Sequence, residues 1–169
     1  MAPSRRQQGQ DGYPTALSAR VGFLLARAHS IAREAADEAL AEVGLTMKAY
    51  AALATLVSDG PVSQQRLSQR IGMDPATMVD VIDGLEKDGY IRRRRNPDDR
   101  REYALQTTAE GRELYKRALR GIIGAEKRTV RSLDAGESKV LLELLRRLTV
   151  PEPSTESHAP SSDDGDQRT

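Results

Sequence analysis

Six arginines fall within the ten positions 92–101, in the stretch YIRRRRNPDDRREY at residues 90–103. Guanidinium groups at this density suit a polyanion or a set of carboxylates, which they grip through planar, bidentate hydrogen bonds. A second distinctive stretch precedes it: residues 74–88 hold the acids Asp74, Asp80, Asp83, Glu86 and Asp88 against one base, Lys87. Catalytic combinations are missing. There is no cysteine, the two histidines His29 and His158 are far apart, and no glycine-rich phosphate loop occurs. No metal-ligand set, activated nucleophile or acid–base pair can be assembled from these residues. Asp80 and Asp83 are neighbours, but no histidine completes a metal site with them. The expectation is a binding protein, not an enzyme, with no cofactor.

The elements that must position these residues are mostly helical. Residues 15–43 carry apolar positions Leu17, Val21, Leu24, Ala28, Ile31 and Ala35 at helical spacing, with a second stripe through Leu25, Ala32, Ala36, Ala39 and Val43. Two apolar faces on one long helix predict contact with its own domain and with something further. Gly44 stops it, and Thr46 begins a helix to about Ser58. Ser63 caps a short helix with Leu67 and Ile71 facing inward. Asp74 as N-cap, Pro75 at the first helical position and Gly89 as the stop then delimit another, with Met78, Val81, Ile82 and Leu85 as its buried stripe. Two short helices about a glycine-containing turn form a helix-turn-helix pattern.

The arginine stretch itself reads as a hairpin, with a strand candidate from Tyr90 to Arg95, a turn at Asn96-Pro97-Asp98-Asp99, and a return from Arg101 to Thr107. Consecutive arginines point to both faces, so the hairpin tip projects into solvent or against an anion. A helix-turn-helix followed by a basic hairpin is a winged helix. Beyond it, Thr108 caps a helix to about Arg131 with Leu114, Ala118, Ile122 and Ala125 on one side. Asp134 and Glu137 form a capping box for a last helix bearing Val140, Leu141, Leu144, Leu145 and Leu148. The predicted fold is mainly α: a winged helix-turn-helix reader head with a two-stranded β wing, flanked by long N- and C-terminal dimerisation helices. Pairing two copies through those helices buries both spare faces at once.

Charge is divided unevenly. Residues 152–169 carry five carboxylates against Arg168, a net −4, which leaves +5 for the rest of a chain whose total is +1. That segment has no aliphatic side chain larger than alanine and is expected to be a disordered acidic tail. The predicted organisation is a flexible arm (1–14), a winged-helix domain (15–150, with dimerisation helices at 15–45 and 109–150 around a reader region at 46–108) and the tail (151–169). The basic body suits a polyanion partner. No apolar run approaches about 18 residues and the N-terminus has no hydrophobic signal region, so a cytoplasmic protein without membrane contact is expected.

The order of elements, with GLT at 44–46, LSQRIGMDPATMVDVIDGLEKDGYI at 67–91 and NPDDRREYALQTTAEGREL at 96–114, resembles the MarR family of transcriptional regulators. The resemblance covers residues 15–149 and is sharpest where Asp99 precedes Arg101 and a threonine-capped helix follows with Ala-x-Gly. It implies a homodimer on a pseudo-palindromic operator in double-stranded DNA, acting as a repressor released by a small, often phenolic or aromatic, anion. It also implies that the second helix of the motif enters the major groove and a wing arginine the minor groove. Two positions depart from the family: the wing closes with Thr107-Thr108 in place of Leu-Thr, and Asp80 and Gly84 stand where arginines are frequent.

Candidate DNA-binding residues are therefore Ser63, Gln64, Arg66, Arg70, Pro75, Ala76, Thr77, Asp80, Arg93, Arg95, Asp99, Arg100 and Arg101. With an acidic second helix, the positive charge must come from the preceding helix and the wing. Asp80 could accept a hydrogen bond from a cytosine amino group, and Ala76 or Thr77 could meet a thymine methyl; alternatively Asp80 is a surface carboxylate paired with an arginine. Asp83 and Glu86 read as surface or intramolecular partners. Candidate effector contacts are Arg20, Phe23, Arg27, His29, Tyr50 and Tyr115, each of which ordinary packing or surface exposure would also explain. The acidic helix leaves a second reading open, a dimeric winged-helix protein-interaction module without sequence-specific DNA reading.

Overall fold

A computed structural model describes residues 12–95 and 103–149. The chain divides into a first unit through Arg131 and a second from Ser132 onward. The first begins with α1 (Thr15–Ser18) and α2 (Val21–Ala41). The single helix expected over residues 15–43 is thus broken. Arg20 adopts an extended conformation (φ −109°, ψ 120°) as the N-cap of α2, and the Tyr13 ring meets Phe23 edge-on across the kink, 5.1 Å between centroids. Apolar periodicity is blind to this break, because both pieces keep their spacing. Gly22 weakens the helix there, and little packing opposes the kink: Leu17, Val21, Leu24 and Leu25 are all exposed.

Only the C-terminal half of α2 enters the core, through Ala39 and Leu40. It packs closely on α6 (Ala109–Thr129), where a Cβ added to Gly121 would stand 3.3 Å from the Ala39 carbonyl oxygen. The chain turns at Gly44 (φ 73°), buries Leu45 and enters α3 (Met47–Asp59), whose N-cap Thr46 accepts from the Ala49 amide at 3.2 Å. Leu53 and Leu56 of α3 join Leu67, Met78, Ile82, Ile91, Leu105 and Leu114 in one continuous core.

A three-stranded antiparallel sheet stands where two strands are expected, in the order β1 (Val62–Ser63), β3 (Tyr103–Thr107), β2 (Ile91–Arg95). The extra strand pairs Val62 with Leu105 and Ser63 with Ala104. Two residues after a proline carry no alternation, and only the distant partner strand makes them β. Ser63 still caps α4 (Gln64–Ile71), accepting from the Arg66 amide at 3.3 Å. Gly72 turns the chain in the left-handed region (φ 63°), and the Asp74 carboxylate accepts from the Thr77 amide at 2.9 Å to open α5 (Pro75–Lys87). That bond holds the Asp74 carboxyl below its ordinary pKa.

The base of the wing is locked to the start of α6. The Thr108 amide donates to the Tyr90 carbonyl at 3.0 Å, its hydroxyl donates to the Gly89 carbonyl at 2.8 Å, and that same oxygen accepts from the Gly111 amide at 3.0 Å. In α6, Leu114, Ala118, Ile122 and Ala125 are buried, the stripe read from the sequence. The second unit holds α7 (Ala135–Thr149), opened by the expected capping box in which Asp134 and Glu137 exchange hydrogen bonds of 2.9 and 2.8 Å. Val140, Leu142, Leu144 and Leu148 of α7 are exposed. Among the described residues, no helix is long and apolar enough to cross a membrane.

Candidate nucleic-acid interface

The helix-turn-helix is built from α4 and α5 against α3 and the sheet. Met78, Ile82 and Leu85 anchor α5 in the core, and the opposite side of the helix presents Pro75, Ala76, Asp80, Asp83, Gly84 and Lys87 to solvent. Thr77 is half-buried, its amide held by the cap. Asp80 has no ion-pair or hydrogen-bond partner among the described residues.

The wing arginines separate by strand parity. Ile91 is buried, and Arg93 lies two residues on, on the same face of β2. Its guanidinium reaches α5, where Nη2 donates to Asp83 Oδ1 at 2.6 Å and Nη1 donates to Glu86 Oε2. The Arg93 amide adds a third bond, donating to Glu86 Oε1 at 3.0 Å. The hydrogen bond to Asp83 leads the interactions that raise the pKa of Arg93, with the charge of Glu86 adding to it and burial acting against both. On the other face, Arg92 donates through Nε and Nη2 to the cross-strand Gln106 at 3.2 and 3.1 Å, and Arg94 faces solvent opposite Ala104. Arg95 is exposed opposite Tyr103 at the outer end of the described wing.

Of the candidate cations, Arg70 is tied back to Asp59 at the end of α3, and Arg93 to α5. Arg66, Arg94 and Arg95 are exposed with no carboxylate partner among the described residues. Ser63 spends its hydroxyl on the cap of α4, and Gln64 follows at the first helical position, half-buried. Asp99, Arg100 and Arg101 lie outside the described residues. Two exposed side chains beside this surface carry a weaker sequence signal. Val79 is an apolar residue off the buried stripe of α5, 41% exposed, and Tyr103 is 55% exposed.

A family model described as the MarR family matches residues 45–103, which span α3 to the first residue of β3. An HTH-type transcriptional repressor of Mycobacterium tuberculosis is 28% identical over 130 residues, covering 77% of this chain and 94% of the relative. A solved probable transcriptional regulator from Pseudomonas aeruginosa is 30% identical with a TM-score of 0.69, covering 78% of this chain and 98% of that one. The chain belongs to the MarR family. It is a transcriptional regulator. CouR from Rhodococcus jostii RHA1, solved with p-coumaroyl-CoA, is 29% identical at a TM-score of 0.71, covering 82% of this chain and 97% of that one. CouR on a 23-mer DNA duplex is matched at 28% identity and a TM-score of 0.73, over 79% and 95% of the two chains.

In this MarR-family chain the candidate effector residues fall into two separate groups. Arg20, Phe23, Arg27 and His29 sit on the first turns of α2, where only Phe23 is half-buried. Phe23 lies sixteen positions before Ala39, about 24 Å along the helix. Tyr50 and Tyr115 stack instead on each other between α3 and α6, with centroids 5.9 Å apart and planes 20° apart. Burial raises the Tyr50 hydroxyl pKa, and Tyr115 and Glu126 push it the same way. The aromatics therefore pair as Tyr13–Phe23 and Tyr50–Tyr115, not as one cluster.

Proposed function

We propose that this chain works in the cytoplasm as a homodimeric repressor that binds a pseudo-palindromic operator and is released by a small aromatic acid or a derivative of one. It acts by binding and not by catalysis. The observation that carries the reading is the outward side of α5, which the core does not use and which stands beside a wing with free cations. In this reading α5 enters the major groove. Ala76 meets a thymine methyl and Asp80 accepts from a cytosine amino group, while Arg66, Arg94 and Arg95 take phosphates. The wing beyond Arg95, with Asp99, Arg100 and Arg101, reaches the flanking minor groove, where narrow A·T-rich sequence concentrates negative potential.

Dimerisation is supported by the exposed apolar side chains of α1 and α2 (Leu17, Val21, Leu24, Leu25) and, in the second unit, of α7. Two copies of α5 then meet successive major grooves about 34–36 Å apart, so half-sites lie about 10 base pairs centre to centre. The ligand-bound and DNA-bound structures of CouR support both halves of the reading by similarity. The test is selection of duplexes from a random pool, followed by anisotropy titration of the enriched and random duplexes across salt. An enriched palindrome with the stated spacing is expected. Equal affinity for every duplex would overturn operator recognition and favour the protein-interaction module. Displacement by aromatic acids and their thioesters tests the effector.

A further inference from the structure

We infer that Arg93 is a positioning residue, a clamp that fixes the angle between the wing and the reading helix, and that it makes no phosphate contact of its own. The inference rests on the DNA-binding reading above. A free wing cation would keep its guanidinium in solvent. Arg93 instead shares the inward face of β2 with buried Ile91, and its side chain is 30% exposed. Its Nη2 donates to Asp83 Oδ1 at 2.6 Å and its Nη1 to Glu86 Oε2, while its amide donates to Glu86 Oε1 at 3.0 Å. One residue of β2 thus holds two carboxylates of α5 by three hydrogen bonds, two from the planar fork and one from the backbone. Two of the five guanidinium N–H donors are spent on these carboxylates, which hold the fork against α5 and away from a phosphate in front of the wing.

The clamp does two things at once. It joins α5 to the strand that carries Arg94 and Arg95, so a base contact by Asp80 and a backbone contact by the wing are made by one rigid piece. Without it, the wing must be ordered anew on each binding event, and that ordering is lost from affinity. It also offsets one of the two negative charges of Asp83 and Glu86, the carboxylates on the wing side of α5. Asp80 is then the acid left unpaired in the middle of the reading helix. Regulation or mutation that opens the clamp would lower preference for the operator more than attraction to DNA in general.

Lysine separates the two roles. It keeps the charge for a phosphate but cannot span two carboxylates with a planar fork. The experiment measures operator and random-duplex affinity across salt for Arg93→Lys and Arg93→Met, each in the wild-type chain and in an Asp83→Asn/Glu86→Gln background. The expected result is that both substitutions reduce the operator-to-random ratio by about tenfold in the wild-type chain, with an unchanged salt slope, and by no more than about twofold in the neutralised background, the non-additivity of residues in one ionic network. Wild-type affinity in Arg93→Lys would overturn the clamp. So would an equal loss in both backgrounds accompanied by a salt slope shallower by about 2 for the dimer, the signature of a lost phosphate contact. Amide hydrogen exchange in the DNA-free protein is read in parallel. Arg93→Lys should speed exchange of the β2–β3 amides by about tenfold relative to those of α6. Unchanged exchange would overturn the clamp even in a protein that bound no DNA, whereas fast exchange without DNA binding would leave the clamp standing and remove the operator reading.

Discussion

Replacing Gly111 by alanine should destabilise the protein by roughly 2–3 kcal/mol, although Gly→Ala within a helix ordinarily stabilises. An added Cβ at Gly111 would stand 2.0 Å from the Tyr90 carbonyl oxygen and 2.9 Å from its carbon, so α6 or the base of the wing must retreat by about 1 Å. Overpacking of this kind costs about 1–3 kcal/mol. The retreat also strains the Thr108 amide bond to Tyr90 and the Thr108 hydroxyl that caps α6, and loss of such a cap costs about 0.5–2 kcal/mol. Against these stands about 1 kcal/mol for the better helix propensity of alanine. The melting temperature should fall by roughly 10 °C at about 4 °C per kcal/mol. Thermal and urea unfolding followed by circular dichroism make the measurement. Gly84→Ala is the control, because nothing lies within 4 Å of a Cβ at that exposed position of α5, and it should stabilise by about 0.5–1 kcal/mol. If both variants melt at or above the wild type, the close approach of Tyr90 to α6 is not real and the account of the wing base fails.

Charging the exposed stripe with Leu24→Glu, or α7 with Leu148→Glu, should shift sedimentation from a dimer toward a folded monomer, and two variants that stay dimeric would remove those faces from the interface. Asp74→Ala should lower the melting temperature at neutral pH by exposing the first amides of α5. The Asp74 carboxyl is depressed in the folded state, so its contribution is present above the unfolded value of about 4 and is lost as pH falls through the folded value. The gap between the two melting curves should therefore close in acid, and a gap that widened there would contradict the cap. Deleting residues 152–169, which hold no aliphatic side chain larger than alanine, should leave the melting temperature unchanged; a fall of several degrees would show that this segment docks.

What was legible in the sequence was local. Ser63, Asp74, Thr108 and Asp134 were readable as caps and Thr46 as a helix start, and each accepts a hydrogen bond from the amide three residues on. The stripes of α5 and α6 were readable because a 3.6-residue period names the buried side without knowing what covers it. The features that escaped depend on partners far along the chain. Val62 and Ser63 become a strand because Leu105 and Ala104 lie beside them, some forty residues away. The kink at Arg20 leaves the apolar spacing intact and so leaves no trace in it.

The arginine run shows where the boundary falls within a single motif. Composition says that residues 92–95 are four equal cations, and from composition alone each is a DNA contact. Strand parity says otherwise, and Ile91 supplies the phase: the apolar residue must face inward, so Arg93 faces inward with it. The acids it would meet there were already visible at positions 83 and 86, one helical turn apart on α5. What parity could not supply was the distance between β2 and α5, which is set by Ile82, Leu85, Ile91 and Leu105 closing the core beneath them. The charge of the reading helix follows from that packing. With Asp83 and Glu86 held by Arg93, α5 presents Asp80 as its unpaired central carboxylate, the acceptor that the proposed base contact requires.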